Sequence, residues 1–157
     1  MKRSLTLFLI FLAGFSNAQA QRVEFAYLSM DEALQAARDQ EKVVVVYYYD
    51  ESAGGYDAFA HLWDDPMVGQ FVGDLAVAVA IDAASEEGDA FRNHYERRRK
   101  GDITAPGIYF FSDTGRSVGA LHGDLEGERG VGRMMMMLGA TTYVQKQKGG
   151  RRPSRRR

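Results

Sequence analysis

Apolar and polar residues along this chain switch between helical and strand-like spacing. Ser29 and Glu32 form a capping-box pattern at the start of a segment with apolar residues at helical spacing, which predicts a helix over Met30–Gln40. The run Val43–Tyr49 contains only β-branched and aromatic residues and does not alternate with polar ones. Such a run is typical of a central strand that is covered on both faces.

A second helix is predicted after this strand. Two glycines break the strand, and Ser52 or a neighbouring residue is expected to cap the helix that follows. Phe59, Leu62 and Trp63 lie on one face at helical spacing. Pro66 then either ends this helix or starts a short further turn.

The rest of the chain predicts a strand and a helix, then a hairpin, then a last helix. We expect a strand over 75–81, a helix over 85–99, a hairpin with strands 107–111 and 117–121, and a last helix over 126–143. Three residues of the 85–99 helix are expected to face inward: Ala90, Phe91 and Tyr95. The predicted order is therefore α, β, α, β, α, β, β, α, which indicates one α/β domain.

The N-terminus has the pattern of a secretory signal peptide. Lys2 and Arg3 precede an apolar run over 5–15, and Ala18 and Ala20 provide a small-x-small cleavage site. The apolar run is too short to span a bilayer. We therefore predict a signal peptide over 1–20, a domain over 21–145, and export to the periplasm or the outside of the cell, with no transmembrane segment after cleavage.

The net charge of −1 hides a strong asymmetry between the domain and the last twelve residues. Residues 21–145 contain 21 acidic and 11 basic residues, whereas residues 146–157 contain seven basic residues and no acid. Such a segment cannot bury enough apolar surface to offset its ordering entropy, so we predict a disordered tail over 146–157. We expect the tail either to fold back on the acidic domain or to bind an external anionic surface through its arginines, and we do not expect nucleic acid to be the partner of an exported protein. These arginines are Arg151, Arg152, Arg155, Arg156 and Arg157.

Two segments of the chain resemble the thioredoxin superfamily, and its exported members in particular. In the first, the strand runs through residues 51–55 into a helical stretch that ends at the Asp-Pro-Met-Val of residues 65–68. In the second, Ala105-Pro106 directly precedes an apolar strand. The resemblance implies a thioredoxin-like fold with a central mixed sheet flanked by helices. It also implies a cis bond before Pro106 and puts the family's two cysteine positions at Ser52 and Gly55.

The family's redox chemistry does not carry over to this chain, because the chain contains no cysteine. Val46 stands where many thioredoxins bury an acid, and Glu51 stands where a tryptophan commonly precedes the first cysteine. Thiol–disulfide exchange needs a thiolate, so this is no dithiol oxidoreductase. The resemblance predicts instead a non-catalytic module without a cofactor that binds a protein or peptide, in part through free backbone beside Pro106. The predicted surface comprises Ser52, Ala53, Gly54, Gly55, Tyr56, Thr104, Ala105 and Pro106.

Two other interpretations remain open at this point. Asp57, His61 and Asp64 are spaced to share a helical face close to Asp50 and Glu51, so they are candidate ligands of a metal ion or groups of a hydrolytic enzyme. No dense ligand motif accompanies them. In the other interpretation, the protein is an assembly subunit whose basic tail docks on an acidic surface.

Overall fold

The apolar run Val43–Tyr49 forms strand β1 at the centre of the sheet, as its lack of alternation predicts. It pairs in parallel with β2 (Ala76–Asp82) and antiparallel with β3 (Gly107–Phe111). β3 pairs antiparallel with β4 (Ser117–Leu121). The sheet is therefore mixed, in the order β2-β1-β3-β4.

This computed structural model describes most of the predicted domain. The described residues are 22–26, 29–53, 55–96, 102–123 and 125–149. The predicted signal peptide and all five arginines of the predicted tail lie outside them. Within the described part of the chain, no helix is both long enough and apolar enough to span a membrane.

In the described part of the chain, five α-helices cover the two faces of the sheet. They are α1 (Met30–Gln40), α2 (Ala60–Trp63), α3 (Pro66–Leu75), α4 (Glu86–Glu96) and α5 (Gly127–Gly149). α1 and α4 contribute buried residues to the core on one face, and α2, α3 and α5 contribute to the core on the other. The chain thus forms three layers, with the sheet in the middle.

β1 takes part in both cores because successive side chains of a strand point to opposite faces. Val45 and Tyr47 pack beneath α2, α3 and α5, together with Trp63. Val46 and Tyr48 pack beneath α1 and α4. Val46 is fully buried, so the position where the family has a buried acid is part of an apolar core here.

The start of α1 agrees with the prediction because its signal is local. The Ser29 hydroxyl accepts a hydrogen bond from the Glu32 backbone N–H, and the Glu32 carboxylate accepts one from the Ser29 N–H at 2.9 Å. The Glu32 carboxylate also accepts a hydrogen bond from the Ser29 hydroxyl at 2.9 Å. The bonds from the Ser29 N–H and then from the Ser29 hydroxyl hold the pKa of the Glu32 carboxyl below its ordinary value. The capping box therefore fixes this helix end.

The inward face of α4 differs from the prediction. Ala90 is exposed, and the buried residues of α4 are Gly88, Phe91 and Tyr95. A Cβ atom at position 88 would lie only 2.2 Å from the Asp82 carbonyl oxygen, so this close approach sets the face that α4 turns inward.

Of the two alternatives predicted for Pro66, the structure shows the second. Pro66 starts a further helix, α3, whose first turn is capped by the Asp65 carboxylate.

α5 continues six residues beyond its predicted end at Tyr143 and includes residues 146–149 of the predicted tail. Gln145 explains the longer helix. Its side-chain amide donates to the Lys42 carbonyl oxygen and accepts from the Asp113 N–H, both at 3.1 Å. These long-range bonds hold the last turns of α5 against Lys42, just before β1, and Asp113, just after β3. A local sequence pattern could not indicate them.

We predict that Leu138→Ala destabilises the protein by about 2–5 kcal/mol, because Leu138 is fully buried between α5 and the sheet. Urea unfolding followed by the fluorescence of Trp63, the only tryptophan, measures this change. Met136→Ala is the matched control on the same helix. Met136 is 65% exposed, so its loss should change the stability by less than about 0.5 kcal/mol. Equal effects of the two changes would contradict the assignment of the buried face of α5.

Candidate functional site

The two segments predicted to form the binding surface lie at the same end of β1. β1 ends at Tyr49, directly before the segment with Ser52 and Gly55. Its antiparallel neighbour β3 begins at Gly107, opposite Tyr48, so Pro106 precedes β3 at this same end. The sheet register therefore brings the two predicted segments together.

Asp50 organises the first segment into a tight turn. One oxygen of its carboxylate accepts hydrogen bonds from the Ser52 N–H at 2.8 Å and from the Ser52 hydroxyl at 2.6 Å. Its backbone carbonyl accepts from the Gly55 N–H at 3.0 Å. This local pairing competes with helix formation. The residues that follow form two 3₁₀ turns, Glu51–Ala53 and Gly55–Phe59, and the predicted helix near Ser52 does not begin until Ala60.

Gly55, at the predicted position of the second cysteine, has a backbone conformation that favours glycine. Its φ is +62°, and a Cβ atom there would lie 3.3 Å from a carboxylate oxygen of Glu51. The buried Tyr47 hydroxyl donates to the Gly55 carbonyl oxygen at 3.3 Å, so the turn is tied to the core. Ala53 and Tyr56 lie in the two 3₁₀ turns, and Gly54 lies outside the described residues.

The Ser52–Asp50 pair is a turn cap and does not have the properties of a nucleophile with its base. The hydrogen bond from the Ser52 hydroxyl, followed by the one from the Ser52 N–H, lowers the pKa of Asp50. A general base works best with a pKa near the operating pH, so lowering the pKa of a carboxylate makes it a poorer base. Asp50 is therefore poorly suited to activate the Ser52 hydroxyl for nucleophilic attack.

The second segment contains the predicted cis bond between Ala105 and Pro106. The Tyr109 hydroxyl accepts from the Thr104 N–H at 2.7 Å and donates to the Thr104 carbonyl oxygen at 2.8 Å. The expected free backbone beside Pro106 is therefore not available at Thr104. The half-buried Ala105 differs, since neither its N–H nor its carbonyl has a hydrogen-bond partner among the described residues.

Tyr109 and His122 hold this segment in place, and neither was among the predicted site residues. His122 Nδ1 lies 3.3 Å from the Thr104 hydroxyl, and the His122 ring packs edge-on against Tyr109 at 5.2 Å. A Cβ atom at Gly107 would lie 2.8 Å from the Thr104 carbonyl oxygen and 2.9 Å from the His122 ring. These contacts depend on the pairing of β3 with β4, so the spacing of residues along the chain gives no signal for them.

The acidic and histidine residues considered for metal binding do not share a helical face. Asp57 lies exposed in a 3₁₀ turn before α2 begins. His61 Nε2 is 2.8 Å from the Leu125 carbonyl oxygen, and Asp64 forms an ion pair with Arg22 at 2.6 Å. No group of three or more His, Asp or Glu residues in the described ranges is arranged to hold a metal ion. The prediction of a shared helical face was wrong because Gly55–Phe59, which includes Asp57, forms a 3₁₀ helix and not an α-helix.

The fold is similar to those of several solved thioredoxin-like structures. A thioredoxin from Thermus thermophilus is 21% identical with a TM-score of 0.57, over 84% of this chain and 98% of that one. A candidate disulphide-isomerase from Bacteroides thetaiotaomicron is 24% identical with a TM-score of 0.61, over 77% and 96% of the two chains. A DsbH oxidoreductase is 14% identical with a TM-score of 0.56, over 79% and 91%.

These similarities show a thioredoxin-like α/β fold, as the sequence predicted. No protein-family model matches the chain, and no curated protein matches it. The fold is present without the chemistry that the names of these structures denote, because the chain contains no cysteine. A function therefore has to be argued from the residues of a site and not from the fold.

We predict that Ser52→Ala raises the pKa of Asp50 toward its ordinary value, because the hydroxyl donor that contributes most to the lowered pKa is removed. NMR titration of the Asp50 carboxyl carbon measures the change. In the wild type, a lowered pKa means that the turn gains stability from this contact at neutral pH and loses it as the pH falls through the pKa of Asp50. Ser117→Ala is the control, and an unchanged Asp50 pKa in Ser52→Ala would refute the cap.

We predict that Gly55→Cys destabilises the protein by about 1 kcal/mol or more, because an L-residue is strained at a φ of +62°. Ser52→Cys is the matched control at the other vacant cysteine position, and it should stay within about 0.5 kcal/mol of the wild type because Ser52 is exposed. Urea unfolding under reducing conditions measures both variants. A Gly55→Cys protein as stable as the wild type would show that the turn adapts and that position 55 still suits a cysteine.

Proposed function

We propose that this protein is an exported, redox-inactive thioredoxin-fold module that binds an extended segment of a partner protein. The contact surface consists of the turn after β1, with Ser52 and Gly55, and the segment before β3, with Ala105 and Pro106. Export is supported by the signal-peptide pattern of residues 1–20. The absence of cysteine leaves recognition rather than thiol exchange as the use of this surface.

The backbone of Ala105 is the observation that carries the proposal. Its N–H and carbonyl have no hydrogen-bond partner among the described residues. The backbone on either side cannot take the same role, because the groups of Thr104 bond to Tyr109 and Pro106 has no N–H. An extended peptide can satisfy both groups by pairing with this one residue, as in recognition by strand addition. The Tyr109 hydroxyl limits the pairing to Ala105, because both backbone groups of Thr104 are already used.

The turn after β1 supplies the other side of this surface. Ser52 and Glu51 are exposed there, and the turn is held by Asp50 from one side and by Tyr47 from the core. A preorganised surface loses little conformational entropy when it binds, which favours affinity. The metal-binding and hydrolytic alternatives have no comparable support, since Asp57, His61 and Asp64 are not brought together.

A blocking substitution tests the proposal. Seven-residue synthetic peptides on an array are screened with the protein, and the tightest binder is measured by fluorescence anisotropy. Ser52→Trp adds bulk to the proposed surface and should weaken binding by about tenfold or more, equivalent to at least about 1.4 kcal/mol of binding free energy. Gln40→Trp is the matched control, because Gln40 is exposed and lies just before β1, at the opposite end of the strand.

Two outcomes would contradict the proposal. One is the absence of any peptide that binds the wild-type protein in the screen. The other is a peptide whose affinity falls equally in Ser52→Trp and Gln40→Trp. Circular dichroism of both variants shows that a change in affinity does not come from unfolding.

A further inference from the structure

Exposed apolar side chains are concentrated on one side of the molecule. Among the described residues, four large apolar side chains are exposed: Met67 and Phe71 on α3, and Met136 and Tyr143 on α5. Their exposures range from 41% to 65%. α3 and α5 pack on the same face of the sheet, whereas α1 and α4 on the other face contribute none of the four. Of these four side chains, Met67 lines a groove between α3 and α5.

A groove of about 810 Å³ lies between the start of α3 and the first three turns of α5. Its apolar part consists of Met67 from α3 and of Val131 and Met135 from α5. Met67 is 56% exposed, so the groove presents an apolar surface to solvent. This volume lies within the range of roughly 300–1,000 Å³ that is common for binding sites.

The groove also carries negative charge. Asp65, Glu126 and Glu128 line it, and no lysine or arginine does so among the described residues. Arg129 and Arg133 are on the same helix as Glu128 but are not lining residues. The first turns of α3 and α5 each contribute about +0.5 of an elementary charge, which offsets part of this negative charge. Asp65 and Glu128 still place carboxylates beside the apolar floor.

We infer that this groove is a second binding surface, which takes a segment of another protein with an apolar side chain flanked by Lys or Arg. The apolar side chain would lie on Met67, Val131 and Met135, and the basic residues would face the acidic rim. The basic tail of this chain is complementary to the charge of the groove but has no large apolar side chain to cover its floor. Residues 146–157 contain only Lys, Arg, Gln, Gly, Pro and Ser. No described residue of the surface around Ser52 and Ala105 lines the groove, so this inference does not depend on the proposed function.

Three labelled eight-residue peptides test this inference by fluorescence anisotropy. The probe combines Lys and Leu in the order Lys-Leu-Leu-Lys-Lys-Leu-Leu-Lys. One comparison peptide has Glu in place of Lys, and the other has Ser in place of Leu. We expect the wild-type protein to bind the Lys/Leu peptide at least about tenfold more tightly than either of the others, since each lacks one of the two matching features. The affinity should fall as salt rises, because the charges are at the surface.

Variants of the protein locate the site. Glu128→Lys and Met135→Ser should each weaken binding of the Lys/Leu peptide by about tenfold, because the first reverses a charge of the acidic rim and the second removes apolar surface from the floor. Asp74→Lys is the matched control, because Asp74 is exposed near the far end of α3 and its substitution makes the same change in charge. Circular dichroism and Trp63 fluorescence verify that each variant is folded.

Four results would overturn the inference. Equal binding of the Lys/Ser peptide would mean that only charge is recognised. An equal loss of affinity in Asp74→Lys would mean that the whole acidic surface is responsible. Tighter peptide binding after removal of residues 150–157 would identify the basic tail of this chain as the occupant. A wild-type dimer that Met135→Ser converts to a monomer in sedimentation would identify a second copy of the chain as the occupant.

Discussion

The burial of β1 on both faces is the constraint on which the rest of the structure depends. Its side chains alternate between the two cores, so one strand holds α1 and α4 on one side and α2, α3 and α5 on the other. Its hydrogen bonds to β2 and β3 also set where the loops at its end are placed. Tyr47 extends this control to the site, because its buried ring belongs to the core and its hydroxyl bonds to Gly55.

The turn after β1 has a backbone that suits the residues present and not a pair of cysteines. In a helix that began at Ser52, the Ser52 N–H would have no acceptor within the helix. In this protein the Ser52 N–H donates to the Asp50 carboxylate instead. Gly55 then takes a left-handed conformation that a cysteine would find strained. The exposed Ser52 at this turn is therefore suited to hydrogen bonding rather than to nucleophilic attack.

The sequence predicted those parts of the fold whose signals are local. The capping box of Ser29 and Glu32 gave the start of α1, and the uninterrupted apolar run gave the bounds of β1. The resemblance to thioredoxins supplied the cis bond before Pro106 and the juxtaposition of the two site segments. The last turns of α5 were missed because Gln145 bonds to Lys42, 103 positions away along the chain. Occupation of the Thr104 backbone was missed because it requires the Tyr109 ring to fold back over the loop, which no spacing rule indicates.

The proposed partner pairs with the backbone of Ala105 and not with that of Thr104. A titration of the ¹⁵N-labelled protein with an extended peptide from the array screen, followed by NMR, distinguishes the two residues. We expect the Ala105 amide proton to shift downfield as it gains a hydrogen bond, while the Thr104 amide, which already donates to Tyr109, changes little. A shift of Thr104 as large as that of Ala105, or no shift of Ala105 while the peptide binds elsewhere, would contradict the proposed pairing.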